Sequence, residues 1–423
     1  MAMCLPLMAG IHSYTDESVL ANGHWVKIRV SESGVCRMSF SQLRSAGIEP
    51  TQLRVYGYGG AMLVQDFSKT KIDDLPQVPV YVGDDYVLFW VQGPIRWTFD
   101  GSRFTHTRNT YSDYGYYFLS DNIGELLAPT TAEPIADFDA INIYQYPNYQ
   151  VHEKDSLNLI DRSGVSGGGR EFYGEQFNAN QKRTISFSTP NAIEGESSRA
   201  YIDVAGYSKI NSTFRCNFNG KTGSISIKPY PDFYTFACVG SLSMMATTAA
   251  DKQQVQLTFS NSTAGALGWL NYIEMTTPTE LKMRGSWMPV RTNSNYRSYE
   301  PVRFHLNNAT SATQIWDITD LAHIQRMPTT MVNDTMLWVG SQEEGVREYV
   351  AVDPQGNSWV SAQVVGNVSN QNLHALKNID YVIICPEGYE AVSTDLAKAH
   401  EQKQGITWAV VTDQQVPRAP CAA

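Results

Sequence analysis

Few residues of this 423-residue chain have the type and spacing to do covalent chemistry. Cys385 ends the apolar run Tyr381 to Cys385, at the carboxyl end of a predicted strand where α/β sites form, and His400 lies on the helix predicted after it. A thiol acts as a nucleophile only with a base about 3 Å away. The helix starts near the same sheet edge and runs back, which places His400 roughly 15 Å off at ~1.5 Å per residue. His374 precedes the strand and belongs at its opposite end. Cys385 is therefore expected as a small buried hydrophobe, inert without a base. Gly164-Val165-Ser166-Gly167-Gly168 matches the G-x-S-x-G nucleophile elbow formally, but that elbow needs a strand before it and a helix after it. Asp161-Arg162-Ser163 and Gly167-Gly168-Gly169 supply neither, so Ser166 reads as linker. The glycine run also lacks the Lys-Ser/Thr of a phosphate loop.

Asp73-Asp74 and Asp84-Asp85 offer hard oxygen ligands for calcium, and acidic turn residues account for them equally well. Asp317 and Asp320 in IWDITD read as turn formers that bond nearby backbone amides. The eight histidines include no H-E-x-x-H and no close pair, which argues against a zinc enzyme. No catalytic, cofactor-binding or metal-ligating residue is assigned, and no cofactor is expected.

The elements around these residues are mostly β. His24 to Val30 alternates, with Val26, Ile28 and Val30 on one face and Lys27 and Arg29 on the other. Gly34-Val35 starts a second strand, and Ser41 to Gly47 fits a short helix with a Ser cap and a Gly stop. Leu53 to Tyr58 and Val78 to Val82 are strands, and Tyr86 to Gln92 is apolar on both faces, as a central strand would be. Tyr111 to Leu119 carries four tyrosines, read as aromatic β core in preference to a sugar platform. Beyond the Gly/Ser-rich stretch come short strands, including a hairpin around Asn219-Gly220 whose turn extends to Gly223 in one reading. Further strands cover Val302 to Leu306, Gln314 to Thr319, Met336 to Val339 and Arg347 to Val352. Only at Asn378 does the grammar change. Tyr381 to Cys385 reads as a strand covered on both faces, followed by a helix from Glu390 to Gln404 with Val392, Leu396 and Ala399 on its apolar face. Gly405 stops that helix and a second strand runs from Ile406 to Val411. This is a βαβ unit.

The expected organisation is a signal-peptide remnant over 1–12, a β-rich domain over 13–154 and a linker over 155–169. A β-sandwich over 170–282, a second β-rich or sandwich domain over 283–377 and the start of an α/β domain over 378–423 complete it. The net charge of −10, without a basic run, argues against nucleic acid as partner. Low charge, 23 tyrosines and abundant Gly and Pro fit an extracellular β-protein. Apart from the apolar start, Met1 to Gly10, nothing approaches the roughly 18 to 20 apolar residues that span a bilayer. The six cysteines show no C-x-x-C spacing; Cys216 and Cys238 read either as a disulfide or, preferentially, as two half-buried hydrophobes.

The ordered motifs RVYGYGGAML (54 to 63), DDLPQVPVYV (73 to 82), DYVLFWVQGPIRW (85 to 97), YSDYGYYFL (111 to 119), IWDITD (315 to 320), REYVAVD (347 to 353) and NQNLHAL (370 to 376) are followed by the βαβ segment. Together they resemble the amino-terminal half of the PorU-type sortases of the Bacteroidota type IX secretion system, within the gingipain-type cysteine peptidases. The resemblance runs from Trp25 onward. It implies β-rich domains ahead of a caspase-like peptidase domain that begins near Asp380. It also implies a cell-surface protein associated with the outer membrane. Secreted cargo, whose carboxy-terminal signals such enzymes remove, and type IX components are the implied partners. In the relatives the catalytic His, in a His-Gly context, and the nucleophilic Cys lie beyond the second strand, so neither is carried over to a residue here. The ending Arg418 to Ala423 does not match the family continuation, and a shortened reading frame is the expectation. The other readings are a carbohydrate-binding or adhesin-like surface module and a hydrolase with an unrecognised site. Residues 378–423 are expected to leave apolar surface uncovered.

Overall fold

A computed structural model describes residues 14–66, 68–69, 71–159, 170–231, 237–291, 300–341 and 346–416. The signal-like start over 1–12, Cys4, Ser166 with its glycines and the ending that includes Cys421 lie outside the described residues. Within them the chain is mainly β, in three bodies followed by one βαβ unit.

The alternation of His24 to Val30 is realised in the strand Trp25–Val30, which buries Val26, Ile28 and Val30. It pairs with Gly115–Ser120 on one side and with Gln363–Val368 on the other, so a strand from late in the chain completes the first sheet. A second sheet places Tyr86–Val91 between Gly34–Ser39 and Val80–Val82. The unbroken apolarity of Tyr86–Val91 has two causes. Val87, Phe89 and Val91 fill the first core, while Leu88 and Trp90 pack with Trp316, Ile318, Val350 and Val352 of the third body. The short helix is Phe40–Ser45, and its cap is Ser39, whose hydroxyl accepts from the Gln42 amide while Gln42 Oε1 accepts from the Ser39 amide. That reciprocal capping box outcompetes Ser41, which has no Glu or Gln three residues on.

The second body is a β-sandwich. One sheet runs Gln145–Glu153, Leu267–Glu280, Ser197–Tyr207, Cys238–Thr247, and the other Lys182–Thr189, Asp251–Ser260, Ser212–Phe218, Lys221–Ile227. Between them lie Phe177, Phe214, Phe218 and Phe259. Asn219 at φ 46° and Gly220 at φ 90° make a two-residue turn, with Lys221 already in the strand, so the turn does not reach Gly223. Cys216 is buried, Cys238 half-buried, and both are free thiols.

The third body interleaves with the others in sequence. Thr130–Thr131 pairs in parallel with Gln325–Arg326, and Ile141–Ile143 in parallel with Val302–Leu306. Segments expected on opposite sides of position 154 therefore share sheets. Trp338 stacks on Phe304 at 4.6 Å in its core.

In the last unit Tyr381–Cys385 pairs in parallel with Trp408–Thr412, joined by the helix Glu390–Gln404, which Gly405 ends at φ 67°. Apolar surface is left uncovered, as expected of residues 378–423, but the strand and helix faces read as covered are not the covered ones. Ala397 is the buried residue of the helix, whereas Val392 and Leu396 are 69% and 50% exposed. In the first strand Val382 and Ile384 are 48% and 59% exposed. A two-stranded sheet with a single helix covers one strand face only, so coverage on both faces is not realised.

Phe214→Ala is expected to destabilise the sandwich by about 3–5 kcal/mol, because it opens a cavity among interlocked rings. The pair Val392→Ser and Leu396→Ser should stay within about 0.5 kcal/mol each, as exposed positions do. Denaturant unfolding monitored by tryptophan fluorescence separates the two; equal losses would contradict this packing.

Candidate functional site

The structure keeps the sequence candidates apart. Cys385 is buried at the end of its strand, while His400 packs edge-on against Tyr381 at the strand's start, ring centroids 5.1 Å apart. Four residues of strand separate them by about 13 Å at ~3.3 Å per residue, beyond proton-transfer reach. His374 lies on the first body, its Nδ1 3.2 Å from the Thr15 carbonyl. Asp73 and Asp74 accept from the Thr15 and Val19 amides and so pin the start of the described chain. Asp85 faces Arg37 at 3.5 Å. Asp317 and Asp320 accept from the amides of Thr319 and Ala322, as turn-forming aspartates do. Among the described residues no cluster of His, Cys, Asp and Glu has the geometry to hold a metal ion.

One concentration of charge among the described residues joins the first two bodies. The hairpin Ile95–Phe99 and Phe104–Arg108 lies across the outer face of the sandwich, where Phe104 packs on Tyr149 at 4.7 Å. His106, with a side chain 3% exposed, is held from both ends: Nδ1 is 2.7 Å from Glu274 Oε1 and Nε2 3.2 Å from Glu153 Oε2. Its backbone N–H also donates to Glu274, at 2.9 Å. Both ring nitrogens face carboxylates, so the ring donates twice and is an imidazolium. Burial opposes that charge, but Glu153 and Glu274 outweigh it and raise the His106 pKa to about 9. Arg103 adds a second cation, 3.1 Å from Glu274 and 4.4 Å over the Tyr201 ring. The two nitrogens point in opposite directions and cannot share a cation, and neither has a free lone pair with which to act as a base. This arrangement clasps two bodies together.

Beside the clasp opens a cleft of about 380 Å³. Arg108 spans Asp113 at 2.7 Å and Asp155 at 3.2 Å there. Burial, with the nearby charge of Glu153, pushes the Asp155 carboxyl up to about 6 against the pull of Arg108. Met62 and Gln65 line both this cleft and a larger groove of about 740 Å³, walled by Tyr58, Tyr111, Tyr114 and Tyr116. The tyrosine-rich stretch thus divides. Tyr117 is buried in the core, while Tyr111 is 69% exposed. Lys27 sits 4.2 Å over the Tyr116 ring and Arg29 4.3 Å over Tyr114. Sequence reasoning singled out the tyrosines but not the clasp. His106 stands 47 residues from Glu153 and 168 from Glu274, and no local pattern announces such a meeting.

No family model matches the chain, and no curated protein matches it. Among solved structures, dimeric latent PorU from Porphyromonas gingivalis superposes with a TM-score of 0.83 at 27% identity, over 95% of this chain and 38% of that one. The chain therefore spans well under half the length of that protein. The carbohydrate-binding module CBM36 in complex with calcium and xylotriose matches at TM-score 0.20 and 15% identity, covering 31% of this chain and 99% of that one. CBM35 from Cellvibrio japonicus Abf62 matches at 0.21 and 13%, covering 30% and 91%. Likenesses at that level carry no argument.

His106 sets a pH dependence. Its folded pKa of about 9 lies above the ordinary 6.5, so its contribution is complete below pH 6.5 and is lost as pH rises through 9. The loss amounts to about 3 kcal/mol at ~1.4 kcal/mol per unit of pKa. Denaturant midpoints between pH 6 and 10 should fall in the wild type and flatten in His106→Gln. Parallel slopes would remove the imidazolium from the account.

Proposed function

Because this chain is of the PorU type in fold over 95% of its length, we propose that it is the noncatalytic β-scaffold of a type IX sortase-like cysteine peptidase. In this reading the three β bodies hold the α/β unit in place and present a surface to secreted cargo at the outer face of the cell. The superposition over 95% of the chain is the observation that carries it. The separation of Cys385 from His400 supports a noncatalytic role for the residues present. No helix among the described residues is long and apolar enough to cross a membrane.

The alternative, a carbohydrate-binding surface module, draws on the exposed tyrosines. It is the weaker reading, because stacking on a sugar needs open ring faces, and cations already cover a face of both Tyr114 and Tyr116.

The purified chain is expected to bind the isolated carboxy-terminal signal domain of a type IX cargo at micromolar or tighter Kd in calorimetry, and to leave it uncut in a parallel digest. Cleavage would overturn the noncatalytic role. A folded chain that binds no signal domain would remove the contact with cargo.

A further inference from the structure

The groove walled by tyrosines on the first body is bounded at one end by the last unit. Gln414 and Val416, from the turn that follows the strand Trp408–Thr412, line it together with Tyr58, Tyr111, Tyr114 and Tyr116. We propose that this groove is the seat of that turn, and that seating it fixes the α/β unit on the first β body. The proposal stands on this shared lining whatever the whole protein acts on.

The turn is built to present those two side chains. Gln415, between them, folds back, so that its Oε1 accepts from the Thr412 amide at 2.8 Å while its own amide donates to the Thr412 carbonyl at 3.0 Å. Gln414, which is exposed, and Val416, which is half-buried, thereby face the groove. The turn is also fastened to the other strand, because the Asp413 amide donates to the Cys385 carbonyl at 2.8 Å. A turn bonded to the ends of both strands moves with them, so its position in the groove sets the position of the sheet.

The unit's larger apolar faces do not do this job. Val382 and Ile384 on the sheet and Val392 and Leu396 on the helix are all exposed. Where the unit's leader leaves the first body, Lys377 pairs with Asp16, both well exposed, and a pair of that kind contributes little. The groove offers what an extended turn with one aliphatic and one amide side chain needs. Leu63 and Val64, 39% and 44% exposed, give the groove an apolar wall suited to an aliphatic side chain, and the four tyrosines give it a phenolic wall suited to a glutamine amide.

The test reads each side of the contact through a change on the other, in the full chain. Val416→Asp should raise hydroxyl-radical oxidation of Met62 and Tyr58, across the groove, several-fold. Tyr111→Ala should speed hydrogen exchange of the Asp413 and Gln415 amides about tenfold, while amides of Gly115–Ser120 stay as in the wild type. If neither readout on the opposite side moves, the turn is not seated there and the proposal fails. Should Tyr111→Ala loosen the Gly115–Ser120 sheet itself, Val416→Asp, which alters no residue of the β bodies, decides alone.

Discussion

The pairing of Gln363–Val368 with Trp25–Val30 is the constraint from which the architecture follows. Val368 lies opposite Trp25 and Gln363 opposite Arg29, so the first sheet cannot be completed until the chain has passed through the second and third bodies and returned. The parallel ladders at 130–131 with 325–326 and at 141–143 with 302–306 impose the same order on the third body. Each closure costs loop entropy before any contact rewards it. Such a fold gains its stability late and as a whole, and the bodies are not separable beads. The strand Tyr86–Val91 makes the dependence physical, with one face in the first core and the other in a cluster shared with the third body.

Against this apolar framework the His106 clasp is a different kind of joint. Two cations and two carboxylates meet with little solvent, and each hydrogen bond has a direction. Burying such a set is costly, and an apolar patch of the same size would hold as well. What the ionic set adds is a single register: the hairpin tip fits where Glu153 and Glu274, on neighbouring strands, both face the ring. The aromatic contacts of Phe104 and Trp97 with Tyr149 supply area around it.

The βαβ unit contrasts with this rigidity. Its strands and helix are well formed, yet both the sheet and the helix keep apolar side chains in solvent.

The sequence by itself determined what is local. Alternation placed the strands, Gly405 ended the helix, the Asn219-Gly220 pair set the hairpin, and the aspartates of IWDITD formed their turn bonds. Each depends on residues within a few positions, so the pattern is visible in the string. The resemblance carried by its ordered motifs likewise placed the chain with the PorU-type fold. Three things were decided only by tertiary structure. One is the return of Gln363–Val368 to the first sheet, another the meeting of His106 with Glu153 and Glu274, and the last which face of the final helix is covered. The apolar stripe of Val392 and Leu396 was legible, but whether a stripe is buried depends on the neighbour it meets. Partners hundreds of residues apart leave no periodicity to read, because chain geometry, not local preference, brings them together.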